Sequence, residues 1–275
     1  MSLGEKLSMV ENFLKKNLDN GAVPPLLLEA MRYSVFPGGK RFRPLLVLSA
    51  CEAVGGDPSG ALPIACAIEL IHNYSLIHDD LPCMDNDDFR RGKPSSHKKF
   101  GCGVALLAGD ALLTYAFEIL GKWLTGDLLK RVLLEIACAS GPAGMVGGQL
   151  LDITDGKIED IHSKKTMALI RASVRCGAIA GGASENELYL LTGYAERLGI
   201  AFQIVDDILD FGKEERLTYP AIYGISHAKA DAERLLEEAV SLIEFFGERG
   251  KDLKELAFMV KRRIEEIDSG GHKDA

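Results

Sequence analysis

No CxxC pair occurs among the six cysteines of this 275-residue chain, Cys51, Cys66, Cys83, Cys102, Cys138 and Cys176. Scattered single thiols exclude a zinc ribbon and a spaced disulfide framework, and fit free thiols in a reducing compartment. The N-terminus, MSLGEKLSMVENFLKK, lacks a signal-peptide apolar core. No run of about 18 apolar residues is found that could span a bilayer. The expectation is a cytoplasmic chain without a membrane span. Strand signals are nearly absent, with no alternating runs bounded by Asn-Gly or Asp-Gly turns. Neither GxGxxG after a strand nor the P-loop pattern occurs, so a dinucleotide fold and a P-loop are excluded. Positive charge is also in deficit. The net charge of −8 argues against nucleic acid as a partner, although a few local cations could still hold a small phosphorylated substrate.

What the chain does have is apolar residues, 47% of it, in helical rather than strand periodicity. In Ile64 to Ile77 the positions Ile64, Ile68, Ile71 and Ser75 make one stripe, flanked by Ala67, Leu70 and Tyr74. Similar stripes run through Val104–Leu120, Leu128–Ala139, Met167–Ala180, Glu187–Asp210 and Ala228–Phe246. Breaks fall at Pro37-Gly38-Gly39, Gly55-Gly56-Asp57-Pro58, Pro94-Ser95-Ser96, Gly141-Pro142 and Gly212. They divide the chain into about ten helices with short connections. With no repeat or low-complexity linker, the expectation is one all-α domain over residues 1–275, with Asp268–Ala275 as a frayed polar tail.

Two acidic clusters stand out. Asp79, Asp80 and Asp85 form DDxxxxD where Pro82 prevents a helix from continuing; Asp206, Asp207 and Asp210 form DDxxD. On a helix Asp206 and Asp207 lie four and three residues from Asp210, so all three are expected over one patch. Both clusters follow strongly apolar runs, where uncompensated carboxylates are costly. One such cluster could be a solvated helix end; two on separate apolar helices point to a cation. All-oxygen ligands without Cys or His at ligand spacing favour Mg²⁺, which takes one or two carboxylates and completes its shell with water and phosphate oxygens.

Cations accompany the aspartates. Lys40, Arg41 and Arg43 in PGGKRFRP form a compact basic group, Arg90 and Arg91 follow the first cluster, and Lys164, Lys165 and Thr166 open another helical segment. Arginine forks suit phosphate oxygens and lysine acts as a point charge. Two such groups beside two acidic clusters suggest two diphosphates. His72 precedes Asp79 by about two turns and could donate to a phosphate. Gln149 and Asp152 in GGQLLD follow a glycine pair that allows close helix approach. His97 and His162 read as ordinary core histidines.

The combination GGKRFRP (38–44), HNYSLIHDDLPCMDNDDFRRGKP (72–94), GGQLLD (147–152), KTMALI (165–170) and FQIVDDILD (202–210) resembles the trans-polyprenyl diphosphate synthases, especially the bacterial short-chain farnesyl and geranylgeranyl diphosphate synthases. The order and approximate spacing agree from near residue 30 to Asp210. The resemblance implies an all-α isoprenoid synthase fold around a central cavity and a homodimer. It implies head-to-tail condensation of isopentenyl diphosphate with an allylic diphosphate, dependent on several Mg²⁺ ions, expected to be three. Asp79, Asp80 and Asp85 match the first metal motif, and Asp206, Asp207 and Asp210 the second. Lys40, Arg43, His72 and Arg91 match positions that hold isopentenyl diphosphate. Arg90, Lys165, Thr166 and Gln203 match those that hold the allylic diphosphate, with Arg90, Lys165 and Gln203 as catalytic positions. Tyr74 and Ser75 match chain-length positions; an aromatic ring five residues before Asp79 goes with a C15 product, and C20 is the alternative.

The chain departs from the family pattern in two places. Only FGKEERLTYP separates Asp210 from the TYP element, with Arg216 where a lysine is common and Lys213 as a candidate phosphate ligand. The stretch from Asp152 to His162 is short by several residues. Both loops are thus short for the family. A catalytically weak homologue acting as a regulatory subunit is therefore an alternative, which the intact aspartates disfavour. A terpene cyclase is another, disfavoured by DDILD together with GGKRFRP.

Overall fold

The computed structural model describes residues 1–268 except Asn20, Pro37, Asp155 and residues 213–217. Lys213, Arg216 and residues 269–275 of the expected tail lie outside the described residues. Among the described residues there are fourteen α-helices. They are α1 (Leu3–Asn17), α2 (Pro25–Val35), α3 (Phe42–Ala53), α4 (Pro58–Asp79), α5 (Ser96–Phe100), α6 (Cys102–Trp123), α7 (Gly126–Ser140), α8 (Met145–Ile153), α9 (Ile158–Ile161), α10 (Ala168–Ala180), α11 (Glu185–Asp210), α12 (Tyr219–Tyr223), α13 (Ile225–Ile243) and α14 (Lys251–Asp268). A π-helical segment, His162–Met167, joins α9 to α10, and a 3₁₀ segment, Glu244–Gly250, joins α13 to α14. The sole sheet among the described residues is a two-residue ribbon, β1 (Phe89–Arg90) antiparallel to β2 (Lys93–Pro94). The fold is all-α, as its periodicity implies. The helices outnumber the expected ten because α5, α9 and α12 are single turns, too short to leave an apolar stripe.

Local chemistry sets the helix starts. Ser2 caps α1 and Ser184 caps α11, each in a capping box with a glutamate three residues on, Glu5 and Glu187. Helix α4 is apolar on every side but that of Glu69 and is buried all round from Ile64 to Ile71. It ends at Asp79, and Pro82 follows in a turn where Asp85 N–H donates to the Asp79 carbonyl at 2.9 Å. Two helices, Pro58–Asp79 and Cys102–Trp123, are long and apolar enough by length and composition to cross a membrane, which the run-length reading did not anticipate. In α4 72% of that window is buried within the protein, against 39% in α6.

The chain divides into two compact units. The first comprises Met1–Leu45 and Leu62–Leu133. Its tie is Arg41, which has a left-handed φ of 46° and is only 2% exposed. Arg41 donates through Nε to Glu11 of α1 at 2.7 Å, through Nη1 to Glu69 of α4 at 2.9 Å and through Nη2 to the Val35 carbonyl at the end of α2 at 2.6 Å. The second unit contains Leu46–Ala61 and the chain from Leu134 onward. There α11 packs against α10, α13 and α14, and α8 against the π-helical segment.

Candidate active site

The two aspartate clusters belong to different units and are taken in turn. In the first unit, the end of α4 and the β1–β2 ribbon place Asp80 against Arg90. Asp80 is 2% exposed, and Arg90 donates to its Oδ1 from Nε at 3.0 Å and from Nη2 at 2.5 Å. A further Arg90 contact reaches Asp87 at 2.9 Å. Burial pushes the Asp80 carboxyl up, and the Arg90 guanidinium pulls it back. Asp79 and Asp85 are half-buried beside the same turn.

The expected phosphate-binding group separates on folding. Arg41 leaves it for the buried ion pairs described above, so Lys40, Arg41 and Arg43 are not one basic surface. Lys40 is exposed. His72, however, lies among arginines: burial and then the charges of Arg43, Arg91, Arg41 and Arg90 hold its imidazole well below the ordinary value. It is neutral at pH 7 and can still donate one N–H. Arg91 takes a left-handed φ of 53°, packs its guanidinium over Gly39, and donates to Asn73 Oδ1 at 3.3 Å. Asn73 in turn donates to the Glu69 carbonyl at 2.7 Å. A small, partly open space is lined by Asn73, Asp80, Arg90 and Arg91.

Tyr74 is buried, its phenol pushed up to about 12 by burial and by Asp79. Its ring meets the His78 ring edge-on, with centroids 5.6 Å apart. His78 Nε2 lies 3.0 Å from the Leu106 carbonyl of α6. This approach needs Gly109, where a Cβ would sit 2.1 Å from His78 Nε2. Ser75 Oγ is spent on the His72 carbonyl at 2.9 Å.

In the second unit a relay of side chains joins the π-helical segment to α11. Lys165 Nζ donates to Asp152 of α8 at 2.5 Å, Thr166 Oγ1 donates to Gln203 Oε1 at 2.5 Å, and Gln203 Nε2 donates to Asp207 Oδ1 at 3.0 Å. A π-bulge of this kind often marks a functional site. Helix α8 comes close because Gly148 has no side chain; a Cβ there would lie 2.2 Å from the Lys165 backbone nitrogen. Beside it the Gln149 side-chain amide is buried with neither its oxygen nor its nitrogen hydrogen-bonded.

The three aspartates of the second cluster do not share one patch. Asp207 is turned inward and accepts from Gln203, from His162 Nε2 at 3.1 Å and from Tyr219 N–H at 2.7 Å. Asp206 is half-buried and faces Arg263 of α14, whose Nη2 lies 2.5 Å from its Oδ1. Asp210 is exposed. The reason is the 100° step per residue, which swings Asp207 off the Asp206–Asp210 line. His162, stacked on Tyr219 with centroids 6.2 Å apart, is thus a partner of the cluster rather than an ordinary core histidine. Neither it nor Arg263 is near the aspartates in sequence, and no local pattern announces them. His97 is buried as a core histidine, with Nδ1 3.0 Å from Ser95 Oγ, but its Nε2 is buried without a hydrogen-bond partner.

Among the described residues no three carboxylate, imidazole or thiol groups are gathered into a metal cage. The donor set still fits Mg²⁺. Each cluster offers hard carboxylate oxygens, and one or two per ion suffice when water and phosphate complete the shell.

The sequence matches the family described as polyprenyl synthetase over residues 24–245. It is 42% identical to the geranylgeranyl diphosphate synthase of Cyanophora paradoxa, covering 94% of this chain and 95% of that protein. It is 45% identical to the farnesyl diphosphate synthase of Geobacillus stearothermophilus, covering 82% of this chain and 85% of that one. In structure it superposes on an FPP/GFPP synthase from Zymomonas mobilis with a TM-score of 0.87 and 38% identity, covering 94% of this chain and 97% of the other. With the aspartate motifs, the arginine and lysine partners and the all-α fold in place, these likenesses show that the chain belongs to the polyprenyl synthetase family and is a prenyltransferase, a short-chain polyprenyl diphosphate synthase.

Proposed function

We propose that the chain condenses isopentenyl diphosphate with an allylic diphosphate, head to tail, and stops at C15, farnesyl diphosphate. Bound at the aspartate clusters, three Mg²⁺ ions would supply the positive charge that lets the allylic diphosphate depart. Asp79, Asp80, Asp85, Asp206 and Asp210 are the ligands in this reading, and Asp207 orients the cluster. Arg90, Lys165 and Thr166, the last fixed by Gln203, hold the allylic diphosphate. Lys40, Arg43 and Arg91 hold the second diphosphate, and neutral His72 donates to it. The apolar wall of α4 keeps water from the allylic cation. The departed diphosphate accepts the proton lost after carbon–carbon bond formation, so no histidine base is required. The enzyme works in the cytoplasm on these small substrates, not on nucleic acid. It works as a homodimer, to which the exposed Leu106 and Leu107 of α6 contribute apolar surface.

The observation that carries the C15 reading is Tyr74, buried five residues before Asp79 and pinned edge-on by His78. The test is incubation with Mg²⁺, labelled isopentenyl diphosphate and, separately, C5, C10 and C15 allylic primers, with products resolved by length. The expected result is C15 from the natural chain and longer products from Tyr74→Ala. A C20 product from the natural chain, as named for the Cyanophora relative, would keep the chemistry and reject Tyr74 as the floor.

A further inference from the structure

The second aspartate cluster divides its carboxylates by what already occupies them. Asp207 is saturated by three protein donors. Asp206 is held differently, by a full positive charge from a distant helix: Arg263 of α14 donates to its Oδ1 from Nη2. The same guanidinium lies over the ring of Phe202, 5.2 Å from its centroid and one turn before Asp206 on α11. The side chains of Arg263 and Asp206 are 22% and 29% exposed, so water reaches the pair and it can open without leaving an unsolvated, unpaired charge. A divalent cation arriving at Asp206 competes with Arg263 for the same carboxylate, directly where it takes Oδ1 and through charge repulsion where it takes Oδ2.

We propose that Arg263 is the resident counter-cation of the second aspartate cluster. It neutralises Asp206 in the metal-free chain, limits the repulsion between Asp206 and Asp210 one turn apart, and yields Asp206 Oδ1 when Mg²⁺ binds. The stacking on Phe202 keeps the released guanidinium close, so the exchange is local and reversible. Arg263 is therefore a positioning residue that sets the metal concentration at which the cluster loads, and it links α14 to the loading state. This rests on the reading of Asp206 as a metal ligand.

The test is Mn²⁺ binding to the full-length chain by electron paramagnetic resonance, without any diphosphate, so that the readout is metal affinity and not turnover. Arg263→Gln is expected to tighten Mn²⁺ binding by about two- to fivefold, the size of a partly exposed ion pair. Arg263→Lys should restore most of the original affinity, and Arg263→Gln should change nothing in an Asp206→Asn background. Unchanged or weaker Mn²⁺ binding by Arg263→Gln overturns the proposal. If Asp206→Asn itself leaves Mn²⁺ binding unaltered, the metal reading of this cluster fails instead. A measurement on the natural chain needs no variant to fold: the Arg263 Nη–H resonance should move from its ion-paired position as Mg²⁺ is added. A resonance that stays in place while Mg²⁺ saturates the cluster also overturns it.

Discussion

Each aspartate cluster contains one buried carboxylate, but the partners differ in kind and in distance along the chain. Asp80 is gripped by the guanidinium of Arg90, ten residues on, delivered by the β1–β2 ribbon. Asp207 is held by an imidazole, a side-chain amide and a backbone N–H, and two of these come from other elements, the π-helical segment and the start of α12. The first cluster is thus shaped by a short local hairpin, whereas the second exists only once distant segments have docked. In the second cluster Asp206 is partly exposed and paired with Arg263, while Asp207 ties three elements together. Substitutions should therefore separate function from stability there, and the separation can be broken experimentally.

The largest effect is expected when Asp206 and Asp207 are compared directly. Asp206→Asn should lower kcat/KM by about 10²–10³-fold, the loss seen when a key electrostatic group is removed from a transition state. Its stability should change by less than about 1 kcal/mol, the worth of the partly exposed pair with Arg263 that it loses. Asp207→Asn puts an amide where His162 and the Tyr219 N–H both donate, leaving a buried donor facing donors. A loss of about 1–3 kcal/mol in chemical denaturation should accompany its fall in activity. Equal stability for the two variants would show that Asp207 is no anchor.

A smaller contrast lies in the glycines that let neighbouring helices approach the two sites. A Cβ at Gly148 would meet the Lys165 backbone, which cannot turn aside; one at Gly109 would meet the ring of His78, which can. Gly148→Ala should cost about 1–3 kcal/mol by overpacking and weaken allylic substrate binding through Lys165 and Thr166. Gly109→Ala should cost less, about 1 kcal/mol, chiefly the hydrogen bond from His78 to the Leu106 carbonyl. Urea titrations of both variants check the order, and the reverse order would mean that the first site is the more rigid.

The same contrast explains what could be read before the fold was known. The stripes of Ile64–Ile77 and Glu187–Asp210, the Gly and Pro breaks and both aspartate motifs are local patterns, and they fall on α4, α11, the expected connections and the two clusters. Three features were not legible. Arg41 sits in a basic run but is buried between Glu11, 30 residues before it, and Glu69, 28 after it. His162 and Arg263 reach their aspartates across 45 and 57 residues. A charge pairs by position in space, and no periodicity records a partner that far along the chain. The π-helical turn that points Lys165 and Thr166 toward their partners likewise has no residue signature of its own, because it depends on docking against α8 and α11.

The smallest expected effect concerns the histidines and again separates the units. In the first unit His72 is held neutral by burial and by the charges of Arg43, Arg91, Arg41 and Arg90, so its folded pKa lies well below the ordinary 6.5. Below 6.5 the unfolded chain binds a proton here that the folded chain does not, so stability rises with pH across that window. The His72 contribution is therefore complete above the unfolded value and drains away as pH falls toward the folded one. His72→Gln removes the titrating group while keeping an N–H donor. Thermal midpoints of the natural chain and the variant, compared between about pH 5 and pH 8, should show a shallower acid slope in the variant. Equal slopes would mean that His72 is not held neutral. Because Arg43 and Arg91 are also the proposed ligands of the second diphosphate, their repulsion of His72 should lessen when that diphosphate binds. The acid slope of the natural chain should then flatten in saturating isopentenyl diphosphate, which the variant should not show.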